Sequence, residues 1–198
     1  VNNGGAVEVS GNLLLTSGLI NTSTTGSLTI TNTSINSVTP AGGSSSSFIN
    51  GPLIKKINQY ENFIFPIGKY ITGPGNVLGN KLKISSTQSG PVLWSAEYMS
   101  PNSTSSSFTA PLIVVSALEF WNVKATAGNQ SILNINWTPT SDITPLVAGS
   151  LSAMRLAKYD TGSWIEIPTT STGDNYNGTA SSTNLLSSAG SDNYTLAS

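Results

Sequence analysis

A chain of 198 residues with a net charge of −1, no cysteine and no histidine rules out much chemistry at once. Ser-His-Asp triads, cysteine nucleophiles, haem or iron–sulfur ligation and ordinary zinc sites lack their residues. Eight basic against nine acidic side chains give no field that would draw in nucleic acid.

Ser, Thr and Asn occupy 75 positions, and charged residues only 9%, against about 25% in an average domain. Hydrophobic residues still reach 37%, with four Trp, six Tyr and five Phe, enough for a packed core. Strand formers set between Gly, Pro, Asn and Ser clusters predict an all-β protein. The sequence opens at Val1 without a leader-like segment, which reads as a processed or truncated start.

Residues 1–50 hold one ionisable side chain, Glu8, and break into short β pieces at Ala6–Val9, Leu13–Thr16, Gly18–Ile20, Leu28–Thr31 and Ser37–Thr39. Strands this brief do not form a stable meander alone. They read either as rungs of a parallel solenoid, with Leu and Ile inside and Thr and Asn outside, or as added strands of one sandwich. The Pro, Gly and Ser cluster between Thr39 and Ser47 reads as a flexible break.

From residue 51 to 198 the strands lengthen and alternate: Phe63–Phe65, Lys81–Ile84, Val92–Tyr98, Phe120–Lys124 and Ile132–Trp137. Met154–Tyr159 and Trp164–Ile167 form a hairpin around Asp160-Thr161-Gly162-Ser163. This half predicts a β-sandwich, immunoglobulin-like or jelly-roll-like. The longest apolar run, Pro111–Leu118, is far short of the roughly 18 residues of a membrane span and reads as one buried strand.

Carboxylates are the remaining acid–base groups. Glu97 and Glu119 both fall on predicted strands and could share a face, but no spacing converges on a glycosidase pair, so no catalytic residue is assigned. The turns Asp160–Ser163, Gly173-Asp174-Asn175 and Ser191-Asp192-Asn193 are rich in oxygen and would suit Ca2+, yet none has the spacing of a calcium loop, and Asp and Asn are ordinary turn residues. No metal ligand or cofactor is assigned, with Ca2+ the one candidate ion. Trp94, Trp121 and Trp137 are expected in the core. Trp164 follows a turn and reads either way. Tyr176, Tyr60 and Tyr70 are the exposed-loop aromatics, so Trp164, Tyr176 and Tyr60 are the candidate ligand-binding residues.

Ser47-Phe48-Ile49-Asn50-Gly51-Pro52-Leu53 followed by Phe63-Ile64-Phe65-Pro66-Ile67-Gly68-Lys69 is similar to the "S-F/Y-V-N-G-P-L/M" and "F-x-F-P-V-G-K" segments found in modules of large secreted and cell-surface proteins of Bacteroidetes. Glu119-Phe120-Trp121, the hairpin from Ala157 to Trp164 and the closing Asn193–Ser198 resemble further motifs in the same order. The resemblance implies an extracellular or cell-surface location, export by the type IX system and an adhesin-like role; it carries no catalytic residues. The expectation is a non-enzymatic structural or adhesive module that meets neighbouring modules or identical subunits, and self-assembles into a fibre by strand addition. The alternative is a carbohydrate-binding module of a secreted polysaccharide-degrading enzyme.

Overall fold

The structure, a computed structural model, describes residues 4–71, 75–78, 82–87, 89–126, 130–147, 150–187 and 191–198. Its first part is a coil of three turns. Strands β1 (Val7–Val9), β2 (Leu13–Leu14) and β3 (Ile20–Asn21) make the first turn. β4 (Leu28–Ile30), β5 (Val38–Thr39) and β6 (Ile49–Asn50) make the second, and β7 (Leu53–Ile57), β8 (Asn62–Phe65) and β9 (Ile67–Ile71) the third. Parallel pairing stacks β1 on β4 on β7, β2 on β5, and β3 on β6 on β9. This parallel register makes the short strands solenoid rungs.

The sequence folds this way because each turn sends its aliphatic side chains inward. Leu15, Leu28, Ile30, Val38, Ile49, Leu53 and Ile67 are buried, and Asn and Thr occupy the corners. Asn50 sits in register over Asn21 and donates its side-chain amide to Asn21 Oδ1 at 2.8 Å, an amide ladder between rungs. Gly51, at φ 126°, has no room for a Cβ: one would lie 2.7 Å from Thr22 Oγ1. The segment read as a flexible break is a hydrogen-bonded corner, with Gly43 N–H on Pro40 O and Ser44 and Ser47 bonded to each other through their backbones. Ser47 and Phe48 behind it are buried.

The coil then passes directly into a sandwich. Strands β10 (Gly75–Leu78), β11 (Leu82–Ser86), β12 (Val92–Met99), β13 (Phe120–Ala125) and β14 (Gln130–Trp137) come first. A four-residue helix, α1 (Thr144–Val147), follows. The chain ends with β15 (Arg155–Asp160), β16 (Ser163–Ile167), β17 (Thr169–Gly173), β18 (Gly178–Ser182), β19 (Leu186–Ser187) and β20 (Ser191–Ala197). Lys81, placed by the sequence at the start of a strand, lies outside the described residues.

One sheet of eight strands runs β1-β4-β7-β12-β13-β20-β15-β16, so the solenoid wall becomes the sandwich wall without a seam. Val7, Leu28, Leu53, Ala96 and Val123 lie side by side across it. The facing sheet is β17-β18-β14-β11-β8, with β19 attached to β14. Trp94, Tyr98 and Trp121 from the first sheet and Phe65, Ile84, Leu133, Ile135 and Trp137 from the second share one core, continuous with the solenoid interior. Three of the four tryptophans therefore sit where alternation placed them. This is the all-β, sandwich-like architecture expected from the strand grammar.

One segment departs from expectation. Residues 111–118 are not a buried strand: Ile113 and Leu118 are exposed, and an isolated bridge, Val115 to Ala197, is their one sheet-like pairing. Apolar character alone does not make a strand: Ile113, Val114 and Ser116 donate their backbone N–H groups to Ser198 O and Leu196 O at the very end of β20, too short a contact for a full ladder. These residues belong to a strap, residues 101–118, that crosses the outer side of the eight-stranded sheet. No helix among the described residues is long and apolar enough to cross a membrane.

Candidate functional site

The outer face of the eight-stranded sheet is covered at one end and open at the other. At the covered end the strap lays Leu112 over Phe120, Ala157, Trp164 and Ala197, a second small core with Met99, Val115 and Tyr159 at its margin. At the open end lies a cleft of about 650 Å³. Strand alternation builds its floor: β12 turns Leu93, Ser95 and Glu97 outward while Trp94, Ala96 and Tyr98 go inward. β13 contributes Asn122 and Lys124 in register with Glu97 and Ser95, and β7 contributes Ile54 beside Ser95. Ser23, Thr24 and Ser27, from the corner between β3 and β4, form the wall.

The electrostatics of the cleft centre on Glu97. Burial pushes its carboxyl above the ordinary carboxylate range, partly offset by the Lys69 ammonium. Among the described residues Glu97, Ser95 and Lys124 have no hydrogen-bond or ion-pair partner, so a half-buried carboxylate, a hydroxyl and an ammonium all have bonding capacity to spare. Asn122 is held in place by donating to Asn193 Oδ1 at 2.7 Å.

Glu97 and Glu119, candidates for one face, lie on opposite ones. Glu119 is 1% exposed and accepts the hydroxyl of the core residue Tyr98 at 2.9 Å. Burial first, then the Glu119 charge and hydrogen bond, raises the Tyr98 hydroxyl far above its usual range. A sheet therefore separates the two carboxylates, and they do not flank a common substrate.

The candidate aromatics do not come together either. Trp164 is fully buried under the strap: its indole N–H donates to Ser105 O at 2.7 Å, and its ring packs edge-on against Tyr159 at 5.2 Å. It offers no face to a sugar. The strap also closes the open edge of β16 there, through Trp164 N–H to Ser107 O and Thr109 N–H to Trp164 O. Tyr60 and Tyr176 are exposed, at 76% and 68%. Tyr60, at φ 61°, bonds through its backbone to Ser86 at one end of the second sheet, while Tyr176 tops the β17–β18 turn at the other. β14 runs between those ends from Ser131, opposite Ser86, to Trp137, opposite Gly178, which is roughly 20 Å of strand at about 3.3 Å per residue.

Two of the three oxygen-rich segments are turns; Ser191-Asp192-Asn193, read as a turn, instead begins strand β20 and pairs with β13. Asp174 Oδ1 accepts the backbone N–H groups of Tyr176 and Asn177 at 2.7 and 2.8 Å, and those bonds hold its carboxyl below the usual range. Asp192 pairs with Lys158 at 3.1 Å, and Asp160 closes the β15–β16 hairpin opposite Ser163. Among the described residues no three metal-ligating side chains cluster. The cleft itself escaped the sequence reading, although an outward Leu93 and Glu97 in a strand of otherwise ordinary alternation were its visible trace.

Trp164→Ala should remove the anchor of the strap. The expected result is a loss of about 3–5 kcal/mol in urea unfolding, together with new proteolytic cleavage between residues 101 and 118. An unaltered digestion pattern would show that the strap is held by something else. Comparison with family models, curated proteins and solved structures finds no match to this chain.

Proposed function

We propose that the chain is a non-enzymatic structural and adhesive module of an extracellular bacterial surface protein, joined to identical subunits or neighbouring modules by strand addition at its first solenoid turn. One observation carries the reading: among the described residues β1, β2 and β3 are all edge strands, so the first rung has a neighbouring strand on one side only. Val7 and Leu14, exposed at 46% and 65%, lie on that rung. The opposite end of the eight-stranded sheet is shielded by the strap on β16, whereas among the described residues no strand pairs with the outer side of β1. The absence of His and Cys and the separation of Glu97 from Glu119 support a non-catalytic role. The surface location and type IX export follow from the sequence resemblance.

Backbone geometry supplies a selective test. Val7 N–H bonds Ser27 O and Val9 O accepts Thr31 N–H, so these two residues face β4 and the Glu8 N–H faces the open edge. Glu8→Pro removes that edge donor and spares the ladder to β4. The wild type is expected to form dimers or longer assemblies in sedimentation and electron microscopy, and Glu8→Pro to remain a folded monomer. Equal assembly by both proteins, or a wild type that stays monomeric at millimolar concentration, would refute the reading.

A second reading, carbohydrate binding, is favoured by the cleft on the outer sheet face and by Glu97, Ser95 and Lys124 in it, which have no hydrogen-bond or ion-pair partner among the described residues.

A further inference from the structure

We propose that the outer-face cleft is a binding site for a neutral, polyhydroxylated ligand, a short stretch of polysaccharide, recognised by Glu97, Ser95, Asn122 and Lys124 over an aliphatic floor of Leu93 and Ile54. The inference deepens the carbohydrate reading above and moves it away from the exposed tyrosines. Its size, about 650 Å³, falls within the roughly 300–1,000 Å³ of small-ligand sites.

Three properties choose the ligand class. The strands beneath the cleft are paired on both sides, β7 with β4 and β12, and β12 with β7 and β13. An extended peptide therefore finds no free backbone edge there, and recognition must pass through side chains. Those side chains are a carboxylate acceptor, an ammonium donor, a hydroxyl and an amide, a mixed set that matches vicinal hydroxyl groups able both to donate and to accept. Finally, Glu97 and Lys124 line the same cleft, so a ligand of either charge meets a like charge on desolvation, whereas a neutral polyol meets none. Leu93, 38% exposed, and Ile54 give the C–H face of a sugar ring an apolar surface to cover. Glu97 is the energetic centre, since a half-buried carboxylate with no hydrogen-bond partner among the described residues gains most from two ligand hydroxyls.

The test is amide NMR titration of the full chain with neutral tetrasaccharides of glucose, mannose, galactose and xylose. Tetragalacturonate and a lysine-rich peptide serve as charged comparisons. The expected result is a shift of the amides of residues 93–97 and 122–126 by at least one neutral probe. Glu97→Gln, close in shape, should weaken that binding by about tenfold or more through loss of a charge-assisted hydrogen bond, and Leu93→Asp should abolish it; Tyr176→Ala should leave it unchanged. Neutral-glycan shifts confined to the loops of Tyr60 or Tyr176 would overturn the cleft assignment and leave carbohydrate binding standing. No response to any neutral probe, or a response to the charged probes alone, would overturn both.

Discussion

Gly178→Ala should cost about 3 kcal/mol or more of folding stability, a large effect for a single methyl group. Gly178 pairs with Trp137 across β18 and β14, and the indole ring fills the space where a Cβ on Gly178 would stand. A Cβ there would overlap the ring and come within 2.5 Å of Thr172 O, so the clash is with a buried ring on one side and backbone on the other. Neither can give way cheaply. Trp137 is 1% exposed, and its indole N–H donates to Asp174 O at 2.8 Å, which ties the ring to the turn that carries Tyr176. Moving the ring breaks that bond and opens space in the shared core. The control is Gly11→Ala, where a Cβ meets nothing within 4 Å and stability should change by about 0.5 kcal/mol or less. Urea unfolding followed by tryptophan fluorescence measures both. Equal midpoints for Gly178→Ala and wild type would mean that β18 can shift away from β14 at no cost.

Local pattern revealed most of the strands and little of the site. In β12 the alternation of Trp94, Ala96 and Tyr98 with Leu93, Ser95 and Glu97 is visible because one face is packed and the other is not. The rungs were legible as short strands punctuated by Asn and Gly, but whether they stacked depended on a parallel register over 20 to 30 residues, such as Ile20 on Ile49. Residues 111–118 misled because apolar side chains can line a strap as readily as a strand. Trp164 was undecidable for a similar reason: its cover, Ser105 to Leu112, lies some 50 residues earlier in the chain. The cleft draws on β7, β12, β13 and the 23–27 corner, and only tertiary pairing brings those together.

The pH dependence of stability should carry the signature of one buried lysine, Lys55. In the Leu53–Ile57 strand alternation puts Leu53, Lys55 and Ile57 on the inner face, so one of two adjacent lysines is forced inside. Lys55 lies between Ile30 and Trp94 where solenoid meets sandwich, fully buried, with its Nζ donating to Asn32 O at 2.5 Å and Lys56 O at 2.6 Å, and 4.9 Å from the Phe63 ring centre. Burial lowers its pKa from 10.5 to about 8, against an opposing pull from Glu61, whose Oε2 is itself buried with no hydrogen-bond partner among the described residues. Between those two values the unfolded chain binds a proton that the folded chain has released, so stability rises with pH across that window; below about pH 8 the penalty is present in full. Relative to Lys55→Met, which keeps the stem and removes the charge, the wild type should gain about 2–3 kcal/mol between pH 7 and pH 10. The Tyr98 hydroxyl, held protonated in the fold, acts with the opposite sign above about pH 10, but it is common to both proteins and cancels in the difference. Parallel urea midpoints for the two proteins across that range would show that Lys55 keeps its ordinary affinity for the proton, and that the junction admits water to the ammonium.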